Sequence, residues 1–306
     1  MFELLKQNNP LALGFASLLS ACLAGAVLIA QASYLEWGLH SLWLALSMLT
    51  LLGLGIYLNS VLSKYRLLGE RNYLPVLIYF MLAAPYLNQP IHWKYILASF
   101  FLFFGIQRSL ALAEESRVNR LVLDASLSFG LASLFVPGSL AALLIIPIAL
   151  LNFQHLSLRH ILLILIGSGL PWFFLWETYF LLDLDRSSLF ALELRKDVDL
   201  GMANWGMYTL ALLFSLAVPK MLSTLNRTKL KIRQSVLLSI WASFFALVLN
   251  SILFGFSSIN WVLFVPALSI LITNQVLESR KAWQGNVLIL FCLLVAVYNI
   301  LFLPHS

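Results

Sequence analysis

Apolar runs of membrane-span length recur along the whole chain, and no polar stretch of domain size separates them. A helix needs about 20 mainly apolar residues to cross the hydrocarbon core of a bilayer. About eleven runs meet or approach that length: residues 11–31, 41–62, 73–87, 95–113, 121–136, 139–153, 161–182, 203–219, 236–254, 259–277 and 286–303. Composition agrees. Of 306 residues, 61% are hydrophobic and 10% charged, whereas a soluble domain carries about 25% charged residues. The expected fold is therefore all-α, a polytopic transmembrane helical bundle forming a single integral membrane domain over residues 1–306. Any site must be assembled from span ends and short loops. The runs at 121–136 and 139–153 are short and are separated only by Pro137-Gly138. They form either a tight hairpin of two spans or a pair that stops short of full crossing.

Lys and Arg set the orientation. With the N-terminus in the cytoplasm, 15 of the 19 fall on the cytoplasmic side, among them Arg108, Arg117, Arg120, Arg159 and the basic loop at 220–235. Lys94, Arg186, Arg195 and Lys196 fall outside. This bias supports an odd span count and an external C-terminus. The net charge of +6 is then a topology signal with an attraction to anionic lipid heads, and it calls for no nucleic acid. Seven tryptophans, Trp37, Trp43, Trp93, Trp172, Trp176, Trp205 and Trp261, fall in or near the outward half. They form either an aromatic-lined cavity or a thick interfacial belt.

The outward acids are Glu36, Glu177, Asp183, Asp185, Glu193, Asp197 and Asp199. Glu177 lies near the outer end of its span, about 8 Å deep at 1.5 Å per residue. An ionisable group inside a span is a functional candidate by default, so Glu177 is read as a ligand-binding or acid–base group. The alternative is a buried ion pair with Lys94 or Arg186. Upstream of it runs Ile166-Gly167-Ser168-Gly169-Leu170-Pro171. Pro171 removes the backbone bond to residue 167 and clashes with its carbonyl. Gly167 is expected to relieve that clash, and Gly169 to allow a close helix contact, with a kink swinging the Glu177 end. Residues 183–202 form an outer loop with a candidate interfacial helix. Asp124 stands at i+4 from Arg120 and not far from Arg108, an arrangement that packing or topology explains.

Cys22 and Cys292 lie in apolar runs and suggest no disulfide framework. Leu19-Ser20-Ala21-Cys22 resembles a lipoprotein cleavage box, but the apolar residues that follow fit an ordinary first span better. No Walker A, dinucleotide-binding glycine fingerprint or Ser-His-Asp signature appears. His155 and His160 are five apart and off a common helical face, so no metal site is expected there. No cofactor is implied, although a divalent cation could join the outer acids.

Two stretches, NYLPVLIYFMLAAP with IQRSLAL and VLDASLSFGLASLFVPGSLAALLIIPIALL, and SLRHILLILIGSGLPWFFLWETYFLLD, resemble an uncharacterised family of polytopic inner-membrane proteins of Bacteroidota. The matched features are Asn72, Leu74-Pro75, Arg108, Asp124, Gly130, Pro137, Arg159, Gly167 and Pro171. More weakly, SFGLASLFVPGSLAALL is similar to the paired short middle spans of GT-C-type glycosyltransferases that use polyprenyl-phosphate sugars. That resemblance implies a catalytic carboxylate in the first outer loop, where Glu36 is the candidate. This chain departs from the type in its short first loop and its lack of a large outer domain.

Three functions compete. In the first, a polyprenyl-phosphate-linked sugar is transferred at the outer leaflet during envelope biogenesis. Glu36 is then the base, Lys94 or Arg186 hold the lipid phosphate, and Glu177, Asp183 and Asp185 help bind substrate. In the second, the chain is a non-catalytic scaffold with a membrane-protein partner. In the third, it is a transporter built around the broken span 161–182. A second broken span, the usual mark of a repeat-built carrier, is not apparent.

Overall fold

The computed structural model describes residues 39–64, 73–83, 93–112, 117–183, 265–277 and 282–302, with scattered positions between 212 and 244. The described elements are α1 (Leu39–Lys64), α2 (Leu74–Ala83), α3 (Trp93–Ala111), α4 (Val118–Phe135), a 3-10 helix (Pro137–Leu144), α5 (Ile145–Asn152), α6 (Leu158–Leu181), α7 (Val265–Leu277) and α8 (Ala282–Phe302). Among the described residues there is no strand. Helices cover the runs expected at 41–62, 95–113, 121–136, 161–182 and 286–303, and parts of those at 73–87 and 259–277. By length and composition, α4 and α6 are long and apolar enough to cross a membrane. The runs at 11–31, 203–219 and 236–254 lie outside the described residues apart from scattered helical positions.

Helices α3 and α4 form an antiparallel hairpin. The Phe129 ring of α4 lies where a Cβ on Gly105 of α3 would stand. Phe101 stacks on Phe135 with ring centroids 6.0 Å apart. Partners whose numbers rise and fall in opposition define the antiparallel sense. On its other side α4 meets α6, and there the numbers rise together. Ser126 packs against Gly167 and Gly130 against Ser168 and Pro171, while Ser133 accepts the Trp172 indole N–H at 2.8 Å. Helices α4 and α6 are therefore parallel, and residues 136–157 must carry the chain back along the length of α4.

The winding of this return segment makes it long enough. Eighteen residues of α4 span about 27 Å at 1.5 Å per residue. The return has eight residues of 3-10 helix and eight of α-helix. At roughly 2.0 and 1.5 Å per residue these also reach about 28 Å. Two prolines fix the winding. Pro137 opens the 3-10 helix and leaves Val136 extended at φ −136° and ψ 100°, as a residue before proline prefers. Pro147 is tolerated in the first turn of α5. Extending α-winding back through residue 143 would drive its ring into the carbonyl of Leu143.

Helix α5 stops in a Schellman motif: Gln154 at φ 60° takes the left-handed position, His155 N–H bonds Leu150 O at 2.8 Å and Gln154 N–H bonds Leu151 O at 3.2 Å. Ser157, extended, precedes α6, and its hydroxyl pairs with His160 Nδ1 at 2.8 Å. Elsewhere α2 is buried along its whole length, held against α1, α7 and α8. Val76 and Tyr79 of α2 close over Gly55 of α1.

Candidate functional site

The described bundle has a basic end and an acidic end. Arg108 sits in the last turn of α3, where a cation complements the helix dipole. Arg117 and Arg120 open α4, and Arg159 opens α6. The antiparallel α3–α4 and parallel α4–α6 pairings bring all four to one end. The end of α5 is there too, and Gln234, at a helical position, donates its side-chain N–H to Asn152 O at 2.7 Å. At the far end of α6 stand Glu177 and Asp183. Arg159 and Glu177 are about 27 Å apart along the helix at 1.5 Å per residue.

At the basic end lies a polar cluster. Asp124 Oδ2 is 3.8 Å from Arg108 Nε and 3.9 Å from Arg120 Nε. The Arg108 guanidinium lies 4.7 Å from the Phe104 ring centroid, a cation–π distance. Next to Arg108 in sequence, Gln107 accepts the Tyr57 hydroxyl of α1, and Tyr57 meets Phe103 edge-on at 5.3 Å. The Ser128 hydroxyl donates to Asp124 O at 2.5 Å. The Arg120–Asp124 proximity was legible from the i, i+4 spacing. The Arg108 arm needed the hairpin, and the Tyr57–Gln107 bond, 50 residues apart, had no sequence signal.

The Gly-Ser-Gly-Leu-Pro stretch works differently from the sequence expectation in one respect. Helix α6 runs from Leu158 to Leu181 with Pro171 inside it. Ile164, Gly167 and Pro171 are its buried residues, one stripe facing α4. A Cβ on Gly167 would overlap the Ser126 hydroxyl and come within 3.2 Å of Leu123 O. Gly167 is thus the small residue that admits α4. Gly169, expected to allow the close contact, is exposed, with nothing within 4 Å of its Cβ position among the described residues. Two residues along a helix turn the chain by roughly 200°, so Gly167 and Gly169 cannot both face α4. The contact is held by polar atoms as well. The Ser126 hydroxyl lies 3.4 Å from Leu163 O, and Ser133, which accepts from Trp172, donates to Gly130 O at 2.6 Å.

Glu177 is exposed near the C-terminal end of α6, and the side chains of Lys94 and Arg186, its proposed ion-pair partners, lie outside the described residues. Trp176 stacks on Phe180 beside it, with centroids 6.0 Å apart. Asp183, at φ 55°, follows the α6 cap, where Leu182 N–H bonds Thr178 O at 3.0 Å. It occupies the left-handed position that ends a helix, which Asp tolerates better than most residues. Lys94 lies in the first turn of α3, with its side chain outside the described residues. Glu36, Asp185, Arg186 and most of the 183–202 loop also lie outside them. Among the described residues no group of three or more His, Cys, Asp or Glu could hold a metal ion. No protein-family model, curated protein or solved structure matches the chain.

Proposed function

We propose that this is a multi-pass protein of the bacterial inner membrane, with about eleven spans in a GT-C-like arrangement, that handles a polyprenyl-phosphate-linked sugar at the outer leaflet. The observation that supports this reading is the polarity of α6. Arginines gather at the end where it starts, and Glu177 and Asp183 stand with Trp176 and Phe180 where it ends. By the positive-inside bias the arginine end is cytoplasmic, and the acidic, aromatic end then faces the outer leaflet. Carboxylates beside aromatic faces suit a sugar, since hydroxyls donate to the acids and apolar ring faces pack on the aromatics. In this reading Glu36 is the general base, Lys94 or Arg186 holds the lipid phosphate, and Asp185 joins the substrate-binding acids. The test is activity in membranes carrying Glu36→Gln and Glu177→Gln. Loss of sugar transfer with normal insertion is expected, and undiminished transfer in both variants would overturn the assignment.

One observation favours a second reading, a non-catalytic scaffold. Helix α6 uses only a narrow stripe against α4 and leaves Leu158, Leu162, Leu165, Ile166, Phe173 and Phe174 exposed. A scaffold would cover that face with a membrane-protein partner. Isolation in mild detergent with a stoichiometric partner and no polyprenyl phosphate would favour this reading over the first.

A further inference from the structure

Among the described residues, the arginine cluster at the basic end has a charge left over. Arg108, Arg120 and Asp124 carry a net charge of +1, and Arg117, exposed at the start of α4, adds another. Asp124 engages each arginine through its Nε, at 3.8 and 3.9 Å. Those distances are beyond hydrogen-bond range, and Arg108 Nε is buried with no hydrogen-bond partner in the structure. A guanidinium has five N–H donors in a fixed fork. One carboxylate at these distances leaves most of the N–H donors of the two guanidinium groups unmatched by Asp124. Two guanidinium groups that share one carboxylate oxygen have donors enough to meet the oxygens of a tetrahedral oxyanion as well.

The cluster is also set for that use. Phe104 under the Arg108 guanidinium and the shared Asp124 limit how far that fork can swing, which lowers the ordering cost of binding. Arg120 is largely exposed, at 69%, and Arg108 partly so, at 34%. Both lie within about 5 Å, along the axis, of the helix ends at Ala111 and Val118. Lipid phosphates occupy that level of a bilayer.

We propose that Arg108 and Arg120 together bind a phosphate group at the basic end of the bundle, either the free ion or the phosphomonoester of a lipid headgroup. The site is separate from the acidic end discussed above and stands or falls without it. Asp124 is the positioning residue, the one carboxylate near both guanidinium groups among the described residues.

The test uses the purified full chain in detergent, titrated with inorganic phosphate, with dihexanoyl phosphatidic acid, and with dihexanoyl phosphatidylcholine as the zwitterionic control. Saturable binding of at least one of the first two is expected, with none of the control. Binding of phosphatidic acid alone assigns a lipid headgroup, and equal binding of both assigns the phosphate ion. Removing a charged hydrogen-bonding partner should weaken binding about tenfold or more. Arg120→Gln, at an exposed position, should do so at no more than the small cost in stability of losing an exposed ion pair, and Arg120→Lys should recover part of the loss by keeping the charge without the fork. Failure of both anions to bind would overturn the proposal. So would equal affinity in the Arg108→Gln/Arg120→Gln double variant. Glu114 and Glu115 precede Arg117 in sequence. Binding that appears only in Glu114→Gln/Glu115→Gln would mean that those acids occupy the forks, and would overturn the proposal for the native chain.

Discussion

Gly130→Ala should loosen the α4–α6 contact while leaving both helices formed. The added Cβ would stand 2.8 Å from Ser168 O, 3.0 Å from Ser168 Cα and 3.1 Å from Pro171 Cγ. Two of the three obstacles are backbone atoms and the third belongs to a proline ring, so no flexible side chain can swing aside. Ordinary contact begins near 3.4 Å, so the helices must part by roughly 0.6 Å. That movement also stretches the Trp172–Ser133 hydrogen bond. Overpacking of this kind costs about 1–3 kcal/mol, and the rigidity of the obstacles places it in the upper half. Alanine gains about 1 kcal/mol over glycine from helix propensity, which complicates a comparison with the natural chain. Gly169→Ala carries the same gain on α6 and meets nothing within 4 Å among the described residues. The difference between the two variants therefore isolates the steric cost, about 2–3 kcal/mol. Titration of the purified chain with sodium dodecyl sulfate in mixed micelles, followed by helix content and tryptophan emission, measures it. Coincident midpoints for Gly130→Ala and Gly169→Ala would refute the packing argument.

Three further outcomes follow from the same geometry. Trp172→Phe and Ser133→Ala each remove the indole–hydroxyl bond and should each cost about 0.6 kcal/mol, a typical value for interhelical bonds in membranes. The double variant should fall short of their sum in a detergent-unfolding cycle. Asp124→Asn leaves Arg108 half-buried beside Phe104 without its countercharge, so it should destabilise the chain more than Arg120→Gln, whose pair is exposed and worth about 0–1 kcal/mol. Midpoints of the same titration rank the two. In a Cys22→Ser/Cys292→Ser background, Arg159→Cys and Asp183→Cys should react with an impermeant maleimide from opposite faces of the membrane, and labelling of both from one face would rule out α6 as a span.

The helical character of the described residues was legible because a long apolar run satisfies its own backbone hydrogen bonds as a helix. The runs at 121–136 and 161–182 became α4 over Val118–Phe135 and α6 over Leu158–Leu181, each starting about a turn earlier because polar residues at the bundle end extend the helix. Winding and azimuth were less legible. Pro137 and Pro147 are visible in the sequence, but a mixed 3-10 and α return depends on the length it must match in α4. Gly167 and Gly169 read alike as letters, and only the position of α4 separates the packed one from the exposed one. Of the candidate site residues, Glu177 lies near the C-terminal end of α6, as the run at 161–182 implied, and Asp183 follows the cap of that helix. Asp183 turned out to hold a helix-ending backbone conformation, which composition does not disclose.

The 3-10 stretch between Pro137 and Leu144 has a consequence for alignment along the bundle. Each residue of it covers about 0.5 Å more than an α-helical residue would. Rewound as α-helix, its eight residues would draw in by about 4 Å, close to three-quarters of a helical turn. The start of α6 would be dragged the same distance along α4. Gly130 would then face a bulkier neighbour than Ser168, and the Trp172 indole would miss Ser133. The stretched winding therefore acts as a spacer of fixed gauge, holding two parallel helices in step much as a tight turn holds the register of a hairpin.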